Sequence, residues 1–248
     1  MFKVIPIPAF EDNYIWLLHD RGHAVVVDPG DAAPVIAALQ THHLTLDAIL
    51  ITHHHNDHTG GVSDLLKSYP ATVYAPAKES YHFPHIAISE GDIVELSELG
   101  ARLQVMETPG HTLGHVVYYG AESLFCGDTL FGCGCGRLFE GTCKQLFHSL
   151  QRLAELPAQT RVYCTHEYTR HNIQFALTID PDNAALAKRA NEVEKCLARG
   201  QPSLPSSIGL ELATNPFLRC ETEAIQSASN SQDPESIFCA IRILRNAF

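Results

Sequence analysis

Four histidines and one aspartate lie within six consecutive residues of the segment LITHHHNDHTGG, positions 50–61. His53 and His55 are two residues apart at the end of an apolar run, so in an extended chain their imidazoles point to the same side. Asp57 and His58 follow where the chain must turn before a Gly-Gly pair. Because imidazole and carboxylate groups together are typical ligands of zinc, iron or manganese, the segment predicts a metal site.

Three other segments carry a candidate ligand directly after a strand-like run. His111 lies in ETPGHTLGH, Asp128 in SLFCGDTLF and His166 in RVYCTHEYT. Taken alone, either histidine could be a hydrogen-bonded core or surface residue, and Asp128 could be a turn or helix-cap residue. Sheet proteins build sites from loops at one edge, and the recurrence of the pattern therefore favours ligands over these alternatives.

The surrounding pattern alternates strands and helices, which predicts the α/β class with helices outside and sheets inside. Strands are expected at 2–7, 14–19, 23–28, 46–52, 72–76, 93–96, 102–107, 115–119, 123–126 and 161–165. From about Thr169 helical periodicity dominates. We therefore expect a catalytic domain over residues 1–168 and a smaller helical, substrate-binding domain over residues 169–248.

The motif THHHNDH, with the later His111, Asp128 and His166, resembles the metallo-β-lactamase superfamily. Within it, the segments GCGRLFEGT and HEYT and the helical C-terminus are similar to hydroxyacylglutathione hydrolases, also called glyoxalase II. The resemblance implies an αββα sandwich and two divalent metal ions, zinc foremost, with iron or manganese as alternatives. The implied ligands are His53, His55 and His111 for one metal, Asp57, His58 and His166 for the second, and Asp128 as a bridge.

The implied reaction is hydrolysis of S-(2-hydroxyacyl)glutathione, chiefly S-D-lactoylglutathione, to glutathione and D-lactate, the second step of methylglyoxal degradation. A hydroxide bridging the two metals would attack the thioester, with Asp57 and Asp128 as the catalytic carboxylates. A thioester substrate also suits a site with no dedicated general acid, because a thiol of pKa about 8.5 departs as thiolate without obligatory protonation. No Ser-His-Asp arrangement stands out as a rival nucleophile.

Basic and aromatic residues supply the expected substrate contacts. Arg242 and Arg245 are three residues apart and share a helix face, so two guanidiniums could reach one carboxylate, although cations near a helix C-terminus also favour its dipole. The resemblance adds Arg137 and Tyr168 as contacts of glutathione. Phe139 stands where some relatives have tyrosine. Without the tyrosine hydroxyl, one hydrogen bond worth about 0.5–1.5 kcal/mol is expected to be missing.

Composition excludes several classes of protein. The formal net charge is −11 and no lysine- or arginine-rich run occurs, which argues against general nucleic-acid binding. No apolar stretch approaches the length of a membrane span, and the first residues, MFKVIPIPAFEDNYIW, lack the apolar middle of a secretory leader. The eight cysteines form no C-x-x-C pair and read as free thiols in a reducing cytosol. We expect a cytoplasmic monomer that acts on a small-molecule thioester.

Other activities use the same metal cradle. A secreted β-lactamase would need a leader, and a nuclease of this superfamily would need a basic surface. A persulfide dioxygenase would use one iron and oxygen and would not be expected to carry the helical C-terminus. A metal-storage module would need neither a bridging Asp128 nor a distant arginine pair.

Overall fold

The computed structural model describes residues 2–229 and 231–248 and divides into two compact units. Unit 1 runs up to Glu107 and includes Leu113–Gly127, whereas unit 2 comprises Thr108–Thr112 and Asp128–Phe248. Each unit is described by itself below.

Unit 1 begins with a six-stranded sheet and its helices. The elements are β1 (Lys3–Ala9), β2 (Asn13–Asp20), β3 (His23–Val27), α1 (Ala32–Thr41), β4 (Thr45–Leu50), α2 (Asn56–Thr59), α3 (Val62–Ser68), β5 (Thr72–Pro76) and β6 (Ile86–Ile88). The strands pair in the order β1-β2-β3-β4-β5-β6. β1, β2 and β3 pair antiparallel, but β3, β4, β5 and β6 pair parallel, so β3 and β4 end at the same edge.

A second set of strands in unit 1 forms an antiparallel meander. Its elements are β7 (Ile93–Leu96), a 3-10 turn (Ser97–Leu99), β8 (Ala101–Glu107), β9 (Val116–Gly120) and β10 (Ser123–Gly127). Tyr118 of β9 is fully buried, and its hydroxyl donates to the carbonyl of Ile51 beyond β4 at 2.7 Å. Burial raises the pKa of Tyr118 well above its usual value, so the hydroxyl stays a neutral donor that ties the meander to the first sheet.

Helices α1 and α3 cover one face of the first sheet. Val35, Leu39 and Leu65 recur at helical spacing on these two helices and are fully buried against sheet residues such as Leu17 and Ile49. Each such side chain contributes about 1.5–3 kcal/mol through burial. This packing fixes β3 and β4, and the candidate ligands His53 and His55 follow the end of β4.

Unit 2 is mostly helical. Its elements are β11 (Leu130–Phe131), β12 (Gly134–Cys135), α4 (Cys143–Ala154), β13 (Arg161–Cys164), α5 (Thr169–Ile179), α6 (Ala184–Leu197), β14 (Ser206–Ser207), α7 (Ile208–Thr214), a 3-10 turn (Pro216–Leu218), α8 (Glu223–Ser229) and α9 (Pro234–Ala247). α4 begins with a capping box between Thr142 and Gln145. β11 and β12 form a two-stranded hairpin.

Buried polar residues hold that hairpin against the helices of unit 2. Cys133 has a left-handed φ of 58°, and its backbone N–H donates to Glu211 Oε2 at 2.8 Å. The other oxygen of Glu211 pairs with Arg189 at 2.6 Å, and both side chains are at most 3 % exposed. Because a buried charge is costly unless it is paired, this network strongly favours one hairpin conformation.

The predicted α/β class is confirmed, and the predicted strands and the three long C-terminal helices are present near their expected positions. The short elements β6, β11, β12 and β14 and helices α2, α7 and α8 were not predicted. Asn230, within the polar segment SASNSQDPES, lies outside the described residues. None of the described helices combines the length and hydrophobicity needed to cross a bilayer.

His23, at the start of β3, makes unit 1 sensitive to pH. Its Nδ1 lies 3.1 Å from Asp47 and its Nε2 lies 3.5 Å from Glu98, and the hydrogen bond to Asp47 is the main cause that raises the pKa of His23. A raised folded-state pKa gives stabilisation that is complete below about pH 6.5 and is lost as pH rises through the folded-state value.

We therefore expect the protein to have a higher melting temperature than a His23→Gln variant at pH 5.5, with the difference shrinking by pH 8. Thermal unfolding of both proteins across this range measures it, with His82→Gln, an exposed histidine of the same unit, as control. A difference that grows with pH would contradict the assignment.

Candidate metal centre and substrate pocket

Asp28 organises the ligand motif of unit 1 from the end of β3. Its backbone N–H donates to the carbonyl of Leu50 at 2.9 Å, which brings its side chain beside the end of β4. The carboxylate accepts from the Thr52 N–H at 2.8 Å, the Thr52 hydroxyl at 2.7 Å and His58 Nδ1 at 2.9 Å. Since a carboxylate only accepts, His58 carries its proton on Nδ1 and presents the lone pair of Nε2.

The same hydrogen-bond chain orients His53. The Thr52 hydroxyl donates to Asp28, so its oxygen accepts from His53 Nδ1 at 3.1 Å. His53 Nε2 therefore carries a lone pair, and it lies 3.0 Å from Nδ1 of His55. His115, which the sequence analysis does not single out, is fully buried, and its ring stacks on that of His53 at 4.8 Å.

Asp57 and His58 form a second pair of candidate ligands on helix α2. Asp57 Oδ2 lies 3.6 Å from His58 Nε2 and accepts from Asn13 Nδ2 at 3.1 Å. Asn13 is buried at the start of β2 and was not predicted as part of the site. His54, expected outside the ligand set, contacts the buried Glu79 through Nδ1 at 3.2 Å.

Unit 2 contributes a carboxylate between two imidazoles. His111 Nδ1 donates to the carbonyl of Arg137 at 2.8 Å, which leaves the Nε2 lone pair 3.4 Å from Asp128 Oδ2. The other oxygen, Oδ1, lies 3.5 Å from His166 Nε2. Asp128 therefore turns one oxygen towards each of two imidazoles, which is the arrangement of a carboxylate that bridges two cations.

These donor groups suit metal ions. A nitrogen lone pair and a carboxylate oxygen both only accept hydrogen bonds, so at such distances they repel each other unless a cation lies between them. Two ligands of a tetrahedral zinc with bonds of about 2.1 Å are about 3.4 Å apart. The separations of 3.4, 3.5 and 3.6 Å match this value, and the 3.0 Å between His53 and His55 is somewhat shorter.

Asp28 should control metal affinity without being a ligand. We expect Asp28→Asn to weaken metal binding about 10- to 100-fold, because the variant loses the acceptor that fixes His58 and, through Thr52, His53. Competition with a chelator measures the change. The matched control is Asp31→Asn, because Asp31 caps α1 through the Ala33 N–H and asparagine keeps that cap. Equal metal affinity in the two variants would contradict this role for Asp28.

A pocket of about 180 Å³ in unit 2 gathers most of the predicted substrate-binding residues. Its lining residues are Phe131, Cys135, Arg137, Tyr168, Asn172, Arg242, Arg245 and Asn246. Among the described residues, no carboxylate lies within ion-pair distance of the three arginines. A pocket with several cations and no anion of its own is suited to an anionic ligand.

The pocket holds its arginines in defined positions. Arg242 is 6 % exposed, donates to the Cys135 carbonyl at 3.0 Å and lies 5.2 Å above the ring of Phe217. Arg245 donates to Asn172 Oδ1 at 3.1 Å. Burial, with the neighbouring Arg242, lowers the pKa of Arg245.

Asn172 joins the pocket to the β11–β12 hairpin. It receives the guanidinium of Arg245 on its oxygen, and its Nδ2 donates to the Gly132 carbonyl at 3.0 Å. Two hairpin cysteines are buried beside it: burial raises the pKa of Cys133 to about 12 and raises that of Cys135 against the opposing effect of Arg242. The sequence analysis missed Asn172, since its partners are distant in the chain.

Two aromatic residues of the predicted site lie next to candidate ligands. The ring of Tyr168 stacks on His166 with centroids 4.8 Å apart and planes 2° apart, and Tyr168 also lines the pocket. Phe139 does not line the pocket; it is 62 % exposed, and its ring meets His111 edge-on at 5.2 Å. Of these two predicted substrate contacts, Tyr168 thus lies at the pocket and Phe139 lies beside the candidate ligand His111.

Two family models match adjacent parts of the chain. The metallo-beta-lactamase superfamily model matches residues 9–166, and the model of the hydroxyacylglutathione hydrolase C-terminus matches residues 167–248. A hydroxyacylglutathione hydrolase of Methylobacillus flagellatus is 58 % identical over 250 residues, covering 100 % of both chains. Another, of Nitrosomonas europaea, is 50 % identical over 254 residues, covering 100 % of this chain and 97 % of the relative.

Solved structures agree on the fold. ETHE1 from Myxococcus xanthus has a TM-score of 0.67 at 26 % identity, covering 100 % of this chain and 99 % of that one. TTHA1623 in a di-iron-bound form has a TM-score of 0.63 at 29 % identity, covering 87 % and 100 %. The predicted metallo-β-lactamase fold with a helical C-terminus is confirmed. The chain belongs to the hydroxyacylglutathione hydrolase family of the metallo-beta-lactamase superfamily.

Proposed function

We propose that the protein hydrolyses S-(2-hydroxyacyl)glutathione, chiefly S-D-lactoylglutathione, to glutathione and D-lactate. Its family is one of metal-dependent hydrolases of hydroxyacylglutathione, and it matches such relatives over its whole length. The observation that carries the proposal lies in unit 2, where Asp128 faces two imidazoles and an arginine pocket has no carboxylate of its own among the described residues.

The proposed centre holds two divalent metal ions, with zinc as the expected occupant and iron or manganese as alternatives. The ligands are His53, His55 and His111 for one ion, Asp57, His58 and His166 for the other, and Asp128 for both. The hydrogen bonds that place a lone pair on Nε2 of three of these histidines support the assignment.

Bound divalent cations supply an activated water and an electrophile for the thioester carbonyl. In the proposed mechanism the carboxylates of Asp57 and Asp128 would accept hydrogen bonds from that water and so orient it. Asn13 holds the Asp57 carboxylate through Oδ2. The glutathione sulfur leaves as thiolate, so no further acid has to protonate it.

The arginine pocket serves the glutathione part of the substrate. Glutathione has one carboxylate, that of glycine, with no ammonium group on the same carbon, and a cluster of cations favours that group. Arg242 and Arg245 bind it from one helix, with Arg137 on the hairpin side, and Tyr168 contacts the peptide portion. Phe139 adds apolar contact beside His111.

The proposal also covers the state of the protein in the cell. We take it to act as a cytoplasmic monomer, which agrees with eight cysteines that are all free thiols. Size-exclusion chromatography of the purified chain tests the monomer.

Hydrolysis of S-D-lactoylglutathione, followed by the loss of thioester absorbance on protein of measured metal content, tests the activity. Rapid hydrolysis with close to two metals per chain is expected. Two metals without hydrolysis of any glutathione thioester would overturn the proposed substrate. One iron with oxygen uptake on glutathione persulfide would overturn it in favour of a dioxygenase.

A further inference from the structure

Phe10 occupies an unusual position in the turn between β1 and β2. Ala9 pairs with Asn13, so the turn consists of Phe10, Glu11 and Asp12. Phe10 has a left-handed φ of 52°, which is uncommon for a bulky residue and costs on the order of a kcal/mol. Its side chain is nevertheless 59 % exposed. The turn thus holds a large apolar ring in solvent at a conformational cost.

The turn is hydrogen-bonded to a proposed metal ligand, and its aromatic ring packs near that ligand's backbone. Asn13, which ends the turn, donates from Nδ2 to Asp57 Oδ2 at 3.1 Å. Gly30 packs so closely that a Cβ there would lie 1.9 Å from the Asp57 carbonyl oxygen and 2.8 Å from Cε2 of Phe10. The ring therefore lies beside the backbone of Asp57, and only glycine at position 30 leaves room for both.

The chemistry of the ring limits which part of the substrate it can serve. A thioester substrate has a charged glutathione side and an acyl side whose substituent is apolar. Phenylalanine offers no hydrogen bond or charge, so near Asp57 it suits the apolar substituent of the acyl group. Strained residues at ligand sites commonly serve such positioning.

We propose that Phe10 forms an apolar wall for the acyl substituent and determines which 2-hydroxyacyl groups react fastest, an inference that rests on the proposed function. Each methylene that contacts the ring should raise kcat/KM by up to about fourfold, as full burial of a methylene would. The proposal therefore concerns how kcat/KM changes with the length of the acyl chain, and not only the activity on the lactoyl ester.

The test compares glycoloyl, lactoyl, 2-hydroxybutanoyl and 2-hydroxypentanoyl esters of glutathione. In the unaltered protein we expect kcat/KM to rise two- to fourfold per methylene. In the Phe10→Gly variant, chosen because glycine accepts the left-handed φ, we expect kcat/KM to rise less than 1.5-fold per methylene. Phe10→Leu should retain part of the trend. Glu11→Ala, an exposed residue of the same turn, should leave the trend unchanged.

The outcomes separate this inference from the proposed function. If Phe10→Gly changes kcat/KM for all four esters by one common factor while keeping its full metal content, Phe10 does not form the proposed apolar wall. Faster hydrolysis of the longer esters by the variant would also overturn it, because the ring would then act as a steric barrier. Absence of hydrolysis of any glutathione ester by the unaltered protein would instead overturn the proposed function. If Phe10→Gly loses metal, the Phe10→Leu series decides.

Discussion

An Asp128→Ala variant is expected to retain at most one metal per chain and to lose at least about 10³-fold in kcat/KM. The reason is that Asp128 offers one oxygen to His111 and the other to His166, at 3.4 and 3.5 Å. Removing it leaves both imidazoles without the negative charge that balances two cations. Metal analysis and thioester hydrolysis on the same batch measure both effects.

The control for Asp128 is an aspartate outside the centre. Asp47 pairs with His23 in unit 1 and contacts none of the proposed ligands in its unit, so Asp47→Ala should keep the metal content. An Asp128→Ala protein with two metals and full activity would remove the bridging role. Loss of metal with retained activity would show that one ion suffices.

Replacing Arg242 and Arg245 together by alanine should raise KM for S-D-lactoylglutathione about 10- to 100-fold, with a much smaller change in kcat. A hydrogen bond to a charged group is worth about 1.5–3 kcal/mol, and binding lost equally from ground and transition states appears in KM. Because Arg242 is buried and donates to Cys135, Arg245→Ala alone serves as the milder variant. Steady-state kinetics measure both parameters.

Arg170→Ala is the matched control for the arginine pair. Arg170 lies on α5, is half exposed and pairs with Glu194, so its loss should leave KM unchanged. A large fall in kcat with unchanged KM in the Arg242→Ala/Arg245→Ala variant would contradict carboxylate binding. A thioester of glutathione in which the glycine carboxylate is replaced by a neutral carboxamide should be insensitive to the substitution.

Much of the candidate site follows from a rule that can be read in the sequence. A polar residue that follows an apolar, strand-like run is a common site residue, and this pattern singled out His53, His111, Asp128 and His166. Helical spacing of three residues placed Arg242 and Arg245 on one helix face, and both residues line one pocket. Long helices such as α6 and α9 were predictable because their periodicity extends over several turns.

The rest depends on contacts between residues far apart in the chain. Asp28 ends the predicted strand 23–28, and its role needs the parallel neighbour β4, which the sequence does not reveal. Asn172 acts through a hairpin carbonyl and an arginine 73 residues away. β11 and β12 have two residues each, too few for any periodicity to appear.

The buried hairpin thiols have a consequence for an enzyme that handles acyl donors. A thiolate attacks thioesters readily, so an ionised cysteine beside the substrate would itself become acylated. Burial raises the pKa of Cys133 to about 12, so its thiol is protonated at pH 7. Burial acts in the same direction on Cys135, which lines the pocket. The hairpin therefore presents neutral thiols, which are much weaker nucleophiles towards a thioester than thiolates are.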